Sequence, residues 1–170
     1  MKTIDENIKT QQFKNAYLLY GEEDYLKKQY RDKLLHALIP EGDTMNFAKY
    51  EGSGINIGEV IDLAETLPFF SERRVILISD SGFFKSSEEK LTEYLGEIQS
   101  TTYFIFVESE VDKRSKTYKA ISKNGYAADF TMPDEKMLAS WMGGRLKSAG
   151  KTITRDAWKE FFERTSDNMD

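Results

Sequence analysis

Short apolar runs alternate with amphipathic segments along most of the chain. The first run ends at Gly21, and runs of this kind are typical of strands buried in a parallel sheet. Beyond it, apolar residues recur at every fourth position until shortly before Pro40, which predicts one face of a helix. The run is Ala16-Tyr17-Leu18-Leu19-Tyr20, and the helix face carries Leu26, Tyr30, Leu34 and Leu38. The pattern therefore predicts a strand followed by a helix.

The same alternation continues to about residue 131. Further strands are predicted at residues 45–50, 75–78, 103–107 and 126–131. Two of the helices between them begin at Asn56 and Ser86, each with a glutamate three residues later at the spacing of a capping box. Their apolar positions are Val60, Ile61, Ala64 and Leu67 in one helix and Leu91, Leu95 and Ile98 in the other, and a last helix covers about 116–123. Strands separated by helices predict an α/β fold with a parallel five-stranded sheet between two helical layers.

A different pattern begins after Pro133. Asp134 opens a helix that Gly150 ends, and Thr154 opens another, with no strand between the two. The large side chains on these helices need more apolar partners than two helices provide; they are Leu138, Trp141, Met142, Leu146, Trp158, Phe161 and Phe162. We therefore expect an α/β domain over residues 1–133 and the start of a helical unit over residues 134–170, in a chain cut from a longer protein.

The composition excludes several classes of function. The chain has 24 basic and 29 acidic residues, and a net charge of −5 argues against a dedicated nucleic-acid binder, so that any DNA role is expected to be indirect. It has no cysteine, and His36 is its one histidine. No apolar stretch approaches the length of a membrane helix, and no signal peptide is recognisable. These features predict a cytoplasmic protein without membrane contact.

The turn after the first strand is the position at which doubly wound proteins bind phosphate groups. Compared with the P-loop pattern G-x-x-x-x-G-K-[ST], Gly21 and Lys27 match, whereas Leu26 and Lys28 replace the second glycine and the hydroxyl residue. The loop between Gly21 and Lys27 also carries three carboxylates that would repel a nucleotide. They belong to Glu22, Glu23 and Asp24. The turn is therefore interpreted as an ordinary helix start whose acids complement the helix dipole, and no cofactor is predicted.

The other polar candidates are interpreted as structural. Asp80 follows a buried strand, where acids commonly form turns. An acidic run beyond the fourth strand, Glu108, Glu110 and Asp112, has no partner for acid–base chemistry at a recognisable spacing and predicts a solvated turn. His36 lies late in its helix, where a cation favours the dipole.

The segment Leu67-Pro68-Phe69-Phe70 carries the main functional argument. A Phe-Phe pair usually belongs to the core. Pro68, however, is expected to end the preceding helix, and two consecutive aromatic side chains on an irregular connection cannot both point inward. At least one of Phe69 and Phe70 should therefore be exposed, and exposed aromatic side chains on a short connection are typical contact residues for a protein partner.

Four segments in register resemble the delta subunit of the bacterial DNA polymerase III clamp loader. They are Tyr17-Leu18-Leu19-Tyr20-Gly21-Glu22-Glu23, Asn46-Phe47, Leu67-Pro68-Phe69-Phe70-Ser71-Glu72-Arg73-Arg74-Val75, and Phe104-Ile105-Phe106-Val107 with Val111-Asp112-Lys113-Arg114. The resemblance implies an AAA+ type fold over residues 1–133, the start of its helical lid over 134–170, and the absence of the C-terminal collar domain. It also implies a component of the DNA polymerase III holoenzyme that does not bind ATP.

The same resemblance implies partners and contact residues. The partners would be the sliding clamp (the beta subunit), whose ring this subunit opens, and the gamma/tau and delta prime subunits of the loader. Phe69 and Phe70 match the clamp-binding pair by position, with Leu67 as a supporting contact. Two alternatives stay open. One is a divergent P-loop nucleotide hydrolase that uses Gly21, Lys27 and Asp80, and the other is a scaffold in which Phe69 and Phe70 are ordinary core.

Overall fold

The computed structural model describes residues 2–131, 143, 146, 150–154, 156–158 and 160. The chain divides into two compact units, Met1–Thr131 and Met132–Asp170. The first unit contains the sheet, and the second is described only at separate positions. The sites discussed below all lie in the first unit.

Five parallel strands form one sheet in the order β2-β3-β4-β1-β5. The strands are β1 (Ala16–Tyr20), β2 (Phe47–Glu51), β3 (Arg74–Ser79), β4 (Thr102–Glu108) and β5 (Tyr126–Asp129). β1, β3 and β4 occupy the centre of the sheet, which agrees with their nearly continuous apolar sequences. The predicted α/β fold with a five-stranded parallel sheet is confirmed.

Helices cover both faces of the sheet. They are α1 (Lys2–Thr10), α2 (Asp24–Leu38), α3 (Ile57–Ala64), α4 (Glu89–Tyr94) and α5 (Lys116–Asn124). Successive strand residues point to opposite faces, so that Leu18 belongs to the core beneath α3, α4 and α5, and Tyr17 to the core beneath α1 and α2. The result is a three-layer arrangement with two apolar cores.

Three local predictions differ from the structure. α1 was not predicted; it carries few apolar residues, and Ile4 alone among them is fully buried. α3 ends at Ala64, four residues before Pro68, and Leu67 is therefore not on its apolar face. The residue before α4 is Glu88 rather than Ser86, and its side chain makes no capping hydrogen bond. Propensity and spacing therefore located the helices better than their ends.

Two helices begin at side-chain caps, of which the one at Asn56 was predicted. Asn56 Oδ1 accepts a hydrogen bond from Gly58 N at 3.0 Å, and its amide also donates to Glu59 at 2.9 Å. Ser115 caps α5 by accepting from Tyr118 N at 3.1 Å. The glutamate of the predicted capping box thus binds the capping side chain rather than the backbone.

The second unit shows two of the predicted helix boundaries. Gly150 has a φ of 68°, and Lys151 N donates to Leu146 O at 2.8 Å, which is the bonding of a helix that ends in a glycine. Thr154 Oγ1 accepts from Ala157 N at 3.3 Å, as a capping threonine does. The body of the helix predicted from Asp134, and Trp141, Met142, Phe161 and Phe162, lie outside the described residues.

Candidate partner-binding site

The connection between α3 and β3, residues 65–73, exposes a group of large apolar side chains; we call it the α3–β3 connection. Leu67 is 81% exposed, Phe69 55% and Phe70 95%. The two aromatic rings pack edge to face with their centroids 4.6 Å apart. The prediction that at least one of the pair is exposed is confirmed, and the alternative that both belong to the core is wrong.

Phe70 has a backbone conformation that phenylalanine rarely adopts. Its φ is 49°, in the left-handed region. For a residue with a Cβ this conformation costs about 1 to 2 kcal/mol, and it persists only where neighbouring contacts hold the chain. The exposed Phe70 side chain makes no core contact that could do so. The constraint must therefore come from the backbone on either side.

Asn46 provides the first of these constraints. Its side chain is almost fully buried, and it contacts both backbone polar groups of Phe69. Phe69 N donates to Asn46 Oδ1 at 2.6 Å, and Asn46 Nδ2 donates to Phe69 O at 2.9 Å. The amide side chain thus pairs with Phe69 as a neighbouring strand residue would.

Asp43 holds Asn46 in turn. Its carboxylate accepts from Asn46 Nδ2 at 2.8 Å and from the backbone N–H groups of Met45 and Asn46 at 3.1 Å each. The bond from the Asn46 side chain contributes most to lowering the pKa of Asp43 below its ordinary value, and the backbone bonds add to this effect. At neutral pH Asp43 is therefore an ionised acceptor.

Arg74 holds the start of the connection. This arginine is buried at the first position of β3, and its guanidinium donates to Leu67 O at 3.0 Å and to Thr66 O at 3.3 Å. A buried arginine that binds two backbone carbonyls satisfies groups that the end of α3 would otherwise leave without a partner. The backbone on both sides of Pro68 is consequently fixed by side chains from outside the connection.

Arg73 ties the end of the connection to α2. Its Nη1 donates to Ala37 O at 3.2 Å, and its guanidinium lies over the rings of Phe13 and Tyr103, 5.0 and 5.8 Å from their centroids. Each cation–π contact of this type contributes roughly 0.5 to 1 kcal/mol. The exposed aromatic pair therefore lies on a connection held at several points.

Sequence reasoning identified the exposed residues but not those that hold them. Asn46 and Arg74 were noted only within the segments that carry the resemblance. A signal was present in each case, because an asparagine or arginine directly beside a buried apolar run must find hydrogen-bond partners there.

The turn after β1 has the opposite character. Gly21 has a φ of 123°, and a Cβ at this position would overlap backbone atoms of Phe130 and Thr131. Glu23 N donates to Phe130 O at 3.0 Å, and Asp24 N donates to Glu22 O at 3.0 Å. Amides that would bind phosphate in a P-loop are thus bonded to the protein itself.

Lys27, at the position of the P-loop lysine, also turns inward. It is 3% exposed; its ammonium group lies 2.9 Å from Asp24 Oδ1 and donates to Glu108 O at 3.4 Å. The ammonium group joins the start of α2 to the end of β4. Both P-loop matches in the sequence therefore have structural contacts in the folded chain.

The acidic run divides into three separate environments. Glu110 pairs with Lys85 and Asp112 with Arg114, as expected of a solvated turn. Glu108 departs from that prediction, because it is 2% exposed and accepts hydrogen bonds from Ser81 Oγ and Ser81 N. Burial raises the pKa of Glu108, although these bonds and one from Gly82 act to lower it.

The remaining candidates show no catalytic arrangement. Asp80 is exposed and accepts from Ser109 Oγ at 3.3 Å, and His36 is exposed in the last turn of α2. Over the part of the chain that the structure describes, no three histidine or acidic side chains are grouped as metal ligands. Within the same residues, no helix is both long and apolar enough to cross a membrane.

Together these features describe an AAA+ like α/β module with a closed phosphate-loop turn and an exposed apolar connection. A family model, DNA polymerase III, delta subunit, matches residues 17–130. The chain belongs to this family, the delta subunits of the DNA polymerase III clamp loader.

Individual relatives agree with this assignment. The chain is 23% identical over 164 residues to DNA polymerase III subunit delta of Bacillus subtilis, with 89% of this chain and 47% of that protein covered. The solved Bacillus subtilis DNA clamp loader delta protein matches with a TM-score of 0.77 at 21% identity, covering 95% of this chain and 51% of the other. The chain spans about half the length of these relatives.

A more distant structure has the same fold. A DNA polymerase III gamma subunit-related protein from Thermotoga maritima matches with a TM-score of 0.54 at 11% identity, covering 92% of this chain and 57% of that protein. At this identity the match shows the fold alone.

Proposed function

We propose that this chain binds the sliding clamp through Phe69, Phe70 and Leu67 and opens one interface of the clamp ring. The observation that carries the proposal is the pair of exposed aromatic side chains on a connection fixed by Asn46 and Arg74. Membership of the delta subunit family supports it. A binding surface that is already ordered loses less conformational entropy when its partner binds.

The energetics of ring opening need no chemical step. An open ring is a minor state of the clamp, and a protein that binds it more tightly than the closed ring increases its population. Phe69 and Phe70 would each contribute roughly 1.5 to 3 kcal/mol if fully buried in a pocket of the clamp. The 95% exposure of Phe70 leaves nearly all of that side chain available.

We propose further that the chain has no catalytic activity of its own and acts as a component of the DNA polymerase III holoenzyme. The inward bonds of Glu23 N and Asp24 N and the burial of Lys27 support this view against the alternative of a nucleotide hydrolase. A phosphate group in this turn would have to displace protein–protein hydrogen bonds and approach carboxylates.

The remaining expectations stay proposals. Residues 134–170 would form the first helices of a helical lid domain. The gamma/tau and delta prime subunits would be its further partners, DNA would be contacted only indirectly, and the protein would act in the cytoplasm. The net charge of −5 supports an indirect role at DNA.

The test uses this chain and the sliding clamp of the same organism. We expect a complex in calorimetric titration, and release of clamps from closed circular DNA without ATP, because only an opened ring can leave a circle. Absence of binding at micromolar concentrations would contradict the proposal. Binding without release would contradict ring opening, and micromolar affinity for ATP would contradict the proposed absence of nucleotide chemistry.

A further inference from the structure

The side-chain amide of Asn46 is not part of the exposed α3–β3 connection, but it bonds to the backbone of Phe69 within that connection. We propose that Asn46, oriented by Asp43, is the positioning residue that sets the direction of the Phe69–Phe70 pair. This effect of Asn46 on the backbone does not depend on a partner, whereas its effect on clamp affinity rests on the proposed function.

The side chain of Asn46 bonds to both backbone polar groups of Phe69. Oδ1 of Asn46 accepts from Phe69 N at 2.6 Å while Nδ2 donates to Phe69 O at 2.9 Å. Both backbone groups of one residue are thereby bound to one side chain, which restrains the orientation of the peptide units on either side of Phe69. Few substitutions could reproduce this, because only a carboxamide offers an acceptor and a donor side by side at this length.

Asn46 is itself held in place by neighbouring groups. The backbone carbonyl oxygen of Asn46 accepts from Val75 N at 2.8 Å, so that Asn46 lies beside the start of β3. Asn46 is 1% exposed. The Asp43 carboxylate can only accept hydrogen bonds when ionised, so it selects the orientation in which Nδ2 faces it. The opposite amide orientation would place Oδ1 against that carboxylate and against Phe69 O.

The next residue, Phe70, has a conformation that depends on how Phe69 is held. Phe70 has a φ of 49° and an exposed side chain, and no burial of its own favours this conformation. With Phe69 released, the chain at Phe70 would relax towards the extended or right-handed regions that phenylalanine prefers. The side chain would then leave the edge-to-face contact with Phe69 and point in a different direction.

The first experiment measures amide hydrogen exchange in this chain. Phe69 N–H should exchange at least about tenfold faster in Asn46→Ala than in the wild type, because its acceptor is removed. The matched control is Asn15→Ala. Asn15 is another asparagine that bridges backbone at the amino ends of the strands, with Nδ2 donating to Thr102 O at 2.9 Å, and it makes no bond to the α3–β3 connection. Unchanged exchange at Phe69 would overturn the proposal.

The second experiment measures clamp affinity. Asn46→Ala should weaken binding by about tenfold, because the two hydrogen bonds that position Phe69 are lost. A direct contact is not the reason, since Asn46 is 1% exposed. Asn15→Ala should bind like the wild type. Equal affinities of Asn46→Ala and wild type, in a chain that binds the clamp, would overturn the positioning role. A wild-type chain that does not bind would contradict the proposed function only, since the exchange experiment still decides the geometry.

A variant of conserved size separates positioning from general stability. Asn46→Asp keeps the acceptor but loses the donor and places a second carboxylate against Asp43, which raises the pKa of the pair. Its clamp affinity should be low at neutral pH and recover as the pH falls, because the protonated carboxyl again has an O–H to donate. Other charged or titratable groups lie nearby: Asp32, His36 and Glu41 line a groove with Asp43, and Arg74 binds the α3–β3 connection. All four are present in both the variant and the wild type, so their effects on affinity cancel in the comparison.

The ratio of variant to wild-type affinity therefore isolates the introduced carboxyl group. A ratio that does not change with pH would contradict the positioning role. The melting temperature is recorded for every variant, and Asn46→Asp carries the test if Asn46→Ala fails to fold.

Discussion

The connections at the two ends of the parallel sheet differ in which groups they direct inward and which they expose. At the carboxyl end, the turn after β1 directs Lys27 inward and bonds its amides to Phe130 and Glu22. At the amino end, the α3–β3 connection directs its polar backbone inward to Asn46 and Arg74 and its apolar side chains outward. At the carboxyl end, where doubly wound proteins usually bind their ligands, amides of the turn after β1 are therefore already bonded within the chain.

This difference shows how a binding surface can form without a pocket. At both ends, backbone polar groups of the connection bond to other parts of the protein, Glu23 N to Phe130 and both groups of Phe69 to Asn46. Among the residues that the structure describes, the α3–β3 connection at the amino end exposes Leu67, Phe69 and Phe70 together, whereas the start of α2, beside the turn after β1, exposes the single ring of Tyr25. A partner protein would recover the cost of exposing the larger apolar group. Function is thus expected at the amino end of this sheet rather than at the carboxyl end, where doubly wound proteins usually bind ligands.

Removal of the exposed aromatic pair should produce the largest effect. We expect Phe69→Ala with Phe70→Ala to weaken clamp binding at least about 100-fold, because two buried rings would be lost from the interface. The melting temperature should stay within about 1 °C, since neither ring contributes to a core. The matched control is Tyr25→Ala, an aromatic side chain 66% exposed at the other end of the sheet, which should bind like the wild type. A large fall in melting temperature would show a structural role instead.

A side chain at Gly21, in the turn after β1, should mainly lower stability. Gly21→Ala forces a Cβ into the backbone of Phe130 and Thr131 at a φ of 123° and should cost more than about 3 kcal/mol, seen as a fall in melting temperature. Gly82→Ala is the control; its φ is 75°, and a Cβ there meets nothing within 4 Å, so about 1 to 2 kcal/mol is expected. Equal costs for the two variants would mean that the turn is not closed against Phe130.

Leu67 should contribute less than the aromatic pair. Leu67→Ala removes an exposed isobutyl group but leaves the carbonyl bond from Arg74 in place, and we expect clamp affinity to fall about five- to tenfold at constant stability. Titration calorimetry with the clamp measures this directly. An unchanged affinity would remove Leu67 from the contact surface and restrict it to Phe69 and Phe70.

The smallest expected effect is a pH dependence at the carboxyl end. Burial raises the pKa of Glu108, so its contribution to stability is present at low pH and is lost as the pH rises through the folded-state value. Relative to Glu108→Gln, the wild type should lose about 2 °C of melting temperature from pH 4 to pH 7. Other titrating groups are common to both chains. A difference that grows in favour of the wild type would indicate a lowered pKa.

Much of the architecture could be predicted because it depends on local periodicity. The run that ends at Gly21 and the positions of Tyr30, Leu34 and Leu38 follow from which faces must be buried, and the structure buries all of them. α1 shows the limit of this reasoning. Its sequence is mostly polar, and its place depends on Ile4 in the core and on Asn7, which accepts a hydrogen bond from the Tyr17 hydroxyl group 10 residues away.

The exposure of Phe69 and Phe70 was predicted for a partly different reason from the one found. Pro68 was expected to end α3, but the helix ends at Ala64, and the direction of the chain comes from side chains elsewhere. The conclusion holds in either case, because two adjacent aromatic residues outside regular structure cannot both reach one core.

The order of residues alone was sufficient for the fold class, the defects of the P-loop and the exposure of at least one of Phe69 and Phe70. These depend on residue type and on spacings of a few positions. The closure of the turn against Phe130 and the hold of Asn46 on Phe69, 23 residues away, required the folded sheet. The reason is physical: a side-chain amide can orient a distant backbone only after parallel strand pairing has brought the two together.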